Sequence, residues 1–425
     1  MKKFFQYAFA AVIAVSAFTS CSDDDDPVVP GANIENKSYT ATDGLNLVVN
    51  GEPLVGKTVT FTKGADDNAT IKLAGEGFDL SSIMGQIGTK AEIQQPGLMV
   101  PTCGVIPGYP EYEFQVKLIG TGDECVFEGG EETEYCTFKY SGKVTKDALD
   151  FNITDLKLKN TSLVGNWKFP EFNPWGDVMS TAVTWDAEAI PTIDFMGFPM
   201  QIPIQGVVGM AMAMEIVPDP LDPTNKISPN EVLTKLLKNV EFREDGNIVA
   251  EYTDLETEDL NPVKSPIGIA QYVITEEGKF LLFLNPQQIV ATTISNATKA
   301  LGTRAPEITT VIEQLLSQLS QLLPLIKNGI PLEWAQYYYT DSMSDEIIPI
   351  ENTFSFTIGK EVLLPLLRTI TPVLSDPEVK SQLVELAKED MGEMAASLEG
   401  ILDALPDIVK TTSEIKLGIN LEKQK

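Results

Sequence analysis

Histidine is absent from all 425 residues. That excludes Ser-His-Asp and Cys-His catalysis, histidine metal sites and a histidine pH switch. The cysteines are Cys21, Cys103, Cys125 and Cys136. Cys125 and Cys136 stand eleven apart, around the acidic, glycine-rich run Glu128-Gly129-Gly130-Glu131-Glu132. We expect a hairpin turn there and a disulfide across it, with two free buried thiols as the alternative. A zinc site lacks a fourth ligand of the usual type. Acids outnumber bases by 61 to 31, giving a formal net charge of −30. Such acidity disfavours nucleic acid and anionic membrane as partners. Residues 123–134 hold six carboxylates and no base, and residues 241–259 hold eight with one arginine. Neither run has the spacing of a calcium loop, so both read as solvated surface. Paired carboxylates can hydrolyse glycosides, but only at a fixed separation that linear spacing does not define. No glycine-rich phosphate loop or metalloprotease motif occurs. We therefore expect no cofactor, no metal and no enzyme, with a carboxylate-dependent hydrolase kept as an alternative.

Aromatic side chains offer a different chemistry, since their faces can stack on sugars. Trp167, Phe169, Phe172 and Trp175 form one group, and Trp334, Tyr337, Tyr338 and Tyr339 a second. The candidate ligand-binding residues are Trp167, Trp175, Trp334, Tyr337 and Tyr339. Strand alternation would bury half of each group, so core and rim packing is the competing reading.

The elements that must position these residues are mainly strands, with helical insertions (α+β overall). Residues 33–160 form a first β-rich domain, a small antiparallel barrel or sandwich. Leu45 to Val49 leads into Asn50-Gly51, a strong hairpin dipeptide. Residues 57–62, 69–73, 112–118, 135–140 and 149–158 alternate as strands, the last interrupted near Asp155. Residues 79–88 read as a short helix. A second, larger domain spans 161–425. Residues 210–214, Met-Ala-Met-Ala-Met, alternate large and small and read as a strand. Ser228-Pro229-Asn230-Glu231 is a capping box opening a helix. Glu244-Asp245-Gly246-Asn247 and Glu276-Glu277-Gly278 mark two hairpins. Helical insertions are expected at about 287–330 and 359–408, with Pro324 and Pro365 breaking the pattern. Residues 413–421 alternate as a final strand, which we expect to close the sheet begun at Val164.

The first twenty residues read as an export signal. Lys2 and Lys3 precede an apolar run over residues 4–18, about 15 residues where a span needs about 20. Phe18-Thr19-Ser20-Cys21 resembles a bacterial lipoprotein processing box, with Phe18 where leucine is usual. Ser22-Asp23-Asp24-Asp25-Asp26 resembles the acidic tag of Bacteroidetes surface lipoproteins. The resemblance implies a lipidated Cys21, acyl (palmitate-type) anchoring in the outer membrane, and an exterior-facing body. Residues 21–32 would be a flexible acidic tether. Gly165-Asn166-Trp167 resembles the Gly-x-Trp opening strand of calycin and lipocalin barrels. This second resemblance implies a calycin-like barrel in residues 161–425, and carries no catalytic residue with it.

The expected function is a non-enzymatic envelope lipoprotein that binds an extracellular ligand, lipid-like or glycan. The alternative is a structural or accessory subunit that binds another envelope protein. A closed apolar cavity would favour lipid, an exposed aromatic row glycan, and a large apolar patch a protein partner.

Overall fold

The computed structural model describes residues 29–79, 99–100, 102–170, 179–195, 198–255, 260–285, 323–340, 346–391 and 395–425. The export signal, Cys21, the acidic tag, the helix expected within 79–88, and Trp175 lie outside them, except Asp79 itself.

The first twelve strands are β1 (Lys37–Tyr39), β2 (Leu45–Val49), β3 (Glu52–Pro53), β4 (Lys57–Lys63), β5 (Asn68–Gly75), β6 (Phe78–Asp79), β7 (Met99–Val100), β8 (Glu111–Lys117), β9 (Ile119–Gly120), β10 (Glu124–Glu132), β11 (Cys136–Thr145) and β12 (Leu149–Leu158). They build a sandwich. One sheet runs β1-β4-β5-β8 and the other β3-β2-β12-β11-β10-β9. Phe114 on β8 packs against Phe138, Tyr140 and Phe151 of the opposite sheet, with ring centroids 4.6–6.5 Å away. All pairs are antiparallel except β2 with β12. Asn50 and Gly51 both take positive φ, 49° and 88°, as the tight β2–β3 turn requires. Asp155 also has positive φ, opposite a register shift between Thr137 and Lys139, so the interrupted alternation is a bulge.

The glycine-rich acidic run is not a turn. It lies inside β10, and the chain reverses between Glu132 and Cys136. Gly129 is there for another reason: a Cβ would sit 2.4 Å from the Tyr140 hydroxyl oxygen. The expected disulfide falls with the turn. Cys125 faces Val144 at one end of the hairpin, while Cys136 starts β11 at the other. Eight residues of strand separate them, about 26 Å, whereas a bridge needs Cα atoms within about 7 Å. Cys103, Cys125 and Cys136 are buried free thiols.

The second unit contains β13 (Gly165–Lys168), β14 (Thr181–Ala187), β15 (Thr192–Phe195), β16 (Phe198–Gln201), β17 (Val217–Asp219), β18 (Asp222–Ile227), β19 (Leu237–Phe242), β20 (Asn247–Thr253), β21 (Pro262–Lys264), β22 (Ala270–Ile274), β23 (Phe280–Leu284), β24 (Ile330–Thr340), β25 (Ile347–Ile358) and β26 (Thr412–Lys423). Its helices are α1 (Ile204–Ala213), α2 (Pro229–Leu236), α3 (Leu323–Asn328), α4 (Lys360–Leu374), α5 (Pro377–Met391) and α6 (Ala395–Thr411). Eight strands close an antiparallel barrel in the order β13-β19-β20-β22-β23-β24-β25-β26. The closing pair is β13 with β26, Trp167 opposite Lys423, so the terminal strand meets the strand begun beside Val164. β14 extends the sheet beyond the barrel by pairing with β26.

Both glycine-centred hairpins form where the sequence places them, β19–β20 and β22–β23. The Ser228 capping box is complete: the Glu231 amide donates to Ser228 Oγ and the Ser228 amide to the Glu231 carboxylate. Residues 210–214 depart from expectation. Most of them belong to helix α1, whose Ile204 and Val207 bury against Ile193 and Ile408. Met and Ala are strong helix formers, and Met-Ala repetition satisfies either period. Pro365 does not interrupt α4, which runs through it. Pro365 and Glu361, the residue one turn earlier, are both exposed, so water can satisfy the freed carbonyl.

Candidate functional site

Eight strands give a barrel just wide enough for side chains to fill, and here they fill it. Trp167, Phe242, Tyr272, Phe280 and Phe356 are all buried, with ring centroids 5.2–6.1 Å apart. The Trp167 indole N–H donates to the Leu163 carbonyl at 2.9 Å. Its expected role as a ligand platform is therefore replaced by a core role. Trp334 also turns inward, packing on Phe354 and donating to the Gly278 carbonyl. Among the described residues, the barrel interior is occupied by these packed rings.

The alternation that sends Trp334, Phe354, Phe356 and Leu421 inward sends their neighbours outward. On the outer face of β24-β25-β26-β14, registered partners run in rows: Glu333, Thr357, Gly418 and Ala182, then Ala335, Ser355 and Asn420. These side chains are small except at the margin, so the sheet is hollowed there. Gly418 is required, because a Cβ would lie 1.8 Å from the Phe356 carbonyl oxygen. Helix α1 stands along one side. Gln205 fixes it, its amide donating to the Val183 carbonyl at 3.0 Å and its oxygen accepting from the Trp185 amide. Beneath, Asn420 is fully buried and donates to the carbonyls of Met179 and Thr181.

The result is an open cleft of about 480 Å³. Glu333, Gln336, Tyr337, Tyr338 and Lys416 line one side and Gln205, Gly209 and Met212 the other. A register shift between Gln336 and Tyr338 lets consecutive tyrosines share the cleft. Tyr338 is 52% exposed. The Gln336 amide nitrogen is committed to the carbonyls of Ile350 and Thr353. Lys416 bridges two carboxylates, Glu333 and Glu414, each at 3.1 Å. Those bonds raise the ammonium's pKa above the ordinary lysine value.

Of the aromatic candidates, Tyr337 reaches the cleft, and Tyr339 does not line it. Tyr338, their neighbour in sequence, lines it as well. Glu333, Gln336 and Lys416 complete this side and stand out by no motif in the sequence. The available hint was alternation on β24, which puts Glu333, Ala335 and Tyr337 opposite in sense to Trp334.

Residues 256–259 of the second acidic run lie outside the described residues. Of its described carboxylates Asp245 is buried beside Arg243, while others in both runs form exposed ion pairs. Glu124 meets Lys143, Glu132 meets Lys159, and Glu244 meets Lys157. No group of three or more metal-ligating side chains converges among the described residues.

Comparison with family models, with curated proteins and with solved structures matches none of them to this chain.

Proposed function

We propose that this protein is a surface-anchored binding protein that takes an extended glycan in the outer cleft beside α1. The observation that carries this reading is the cleft itself: open, hollowed by small residues, walled by Tyr337 and Tyr338, and edged by Glu333, Gln336 and Lys416. Aromatic faces with amide, carboxylate and ammonium groups suit a polyhydroxylated chain better than an acyl chain. The filled barrel supports the same choice over lipid. Anchoring through Cys21 would place such a cleft toward extracellular polysaccharide.

The test is an array of oligosaccharides probed with the purified full-length chain, followed by titration of the best binder. Tyr338→Ala is expected to weaken binding by about tenfold, since losing one stacked ring removes about 1 kcal/mol or more. A chain that binds no glycan, or that carries a lipid in native mass spectrometry, would overturn the reading.

A second reading, docking to another envelope protein, has one observation in its favour. The β15–β16 hairpin presents Phe198 71% exposed and Met200 44% exposed. If it is a docking element, Phe198→Ser abolishes co-purification of a partner while glycan binding is unchanged.

A further inference from the structure

The cleft's charge inventory narrows its ligand, provided the glycan reading holds. Among the described lining residues, the groups charged at neutral pH are Glu333 and Lys416. Lys416 is already shared between Glu333 Oε2 and Glu414 Oε1. Carboxylates therefore outnumber the ammonium by one at this spot, on a chain of net charge −30. A uronate or sulfate arriving here finds no uncommitted positive charge and meets repulsion from the surrounding surface.

The same geometry suits hydroxyls. An ammonium has three donors, and two are engaged by the carboxylates. The third is left for a ligand oxygen. Glu333 gives Oε2 to Lys416 and retains Oε1 as an acceptor. Adjacent donor and acceptor match two neighbouring hydroxyls of one sugar ring, one accepting from Lys416 and one donating to Glu333. Both hydrogen bonds would be charge-assisted. Space for the carboxylate is kept by Gly359, where a Cβ would sit 3.2 Å from Glu333 Oε1. Gly359 is also the N-cap of α4 and makes no side-chain cap bond. A Ser or Asp there would cap the helix but crowd the Glu333 carboxylate.

We propose that Glu333 and Lys416 form a specificity clamp for a vicinal hydroxyl pair, so that the cleft accepts uncharged glycans and rejects acidic ones.

The experiment titrates the full-length chain with neutral gluco-, xylo- and manno-oligosaccharides and with acidic oligogalacturonate and sulfated chondroitin fragments. The wild type is expected to bind a neutral probe, with little dependence on salt, and none of the acidic ones. Glu333→Gln removes one of the two carboxylates holding Lys416. It is expected to weaken neutral binding about tenfold and to raise affinity for acidic probes in a salt-sensitive manner. Lys416→Gln should weaken neutral binding without creating acidic binding, and unfolding midpoints of both variants report that the fold persists. A gain of acidic binding is a readout that a merely structural role would not produce. Unchanged neutral affinity in both variants, or a wild type that prefers acidic probes, overturns the clamp and leaves the cleft as a glycan site. A wild type that binds neither class overturns the glycan reading and the clamp with it.

Discussion

Trp167 shows how much one residue carries. It is 1% exposed, touches Phe242, Phe354 and Phe356, and anchors the strand that closes the barrel. Trp167→Ala should therefore cost about 3–5 kcal/mol, read as a lower urea midpoint with an unchanged slope. Tyr112 carries a pH dependence. Burial, followed by the neighbouring Glu131 carboxylate that accepts its hydroxyl hydrogen at 3.1 Å, pushes its pKa up to about 12 from 10.0. The unfolded chain ionises this phenol first. Its contribution is thus complete below pH 10.0 and lost as pH rises towards about 12. Urea midpoints at pH 9 and pH 11.5 should fall between the two, and fall less in Tyr112→Phe. Residue types in this chain announced what was missing better than what was present. No histidine meant no histidine chemistry, but Glu333 and Lys416 are two among many charged residues. They become legible only when β24 and β26, some eighty residues apart, lie either side of β25.

At the scale of elements, local signals were readable where the cause was local. Asn50-Gly51, Gly246 and Gly278 each sit at positive φ in the turns their sequences suggested. The Ser228 capping box formed as written. Ser228→Ala should destabilise the fold by about 1 kcal/mol, measured as a lower midpoint, because the first-turn Glu231 amide loses its Ser228 Oγ acceptor. Signals with two physical causes misled. Gly129 and Gly130 looked like a turn, yet Gly129 yields space to the Tyr140 ring within a strand. That single ambiguity carried the Cys125–Cys136 bridge with it. The Met-Ala run met the period of a strand, but tertiary packing of Ile204 and Val207 against Ile408 settled it as helix α1. The consequence is functional, since α1 became a wall of the cleft and not a strand of the barrel.

For the whole molecule, the sandwich and the barrel share one continuous hydrophobic core from Ile34 to Leu421. Polar contacts pin the same junction. Lys57, 1% exposed, donates to the carbonyls of Cys103 and Gly268, at 2.7 and 3.3 Å, joining the sandwich to the barrel. The Cys103 thiol donates to Gly268 at 2.8 Å, and Arg243 pairs with Glu52 at 2.8 Å. Calorimetry should therefore record one cooperative transition for the wild type. Lys57→Ala, which takes the donor from the buried Cys103 carbonyl and leaves Gly268 to the Cys103 thiol alone, should lower it and split it in two. The last strand was readable from the alternation over residues 413–421, and its expected closure of the sheet is met by the Trp167–Lys423 pairing. The shared core was not readable, because nothing in a strand's period says which neighbouring unit covers its end.

We propose the outer cleft, not the barrel interior, as the place where a ligand binds. Amide hydrogen exchange of the full-length chain, with and without the tightest-binding oligosaccharide, tests that directly. Protection confined to residues 179–184, 204–212, 333–338, 355–357 and 414–418 is the expected result. Protection centred on the strands around Trp167, Phe242 and Tyr272, with those segments unchanged, would contradict it.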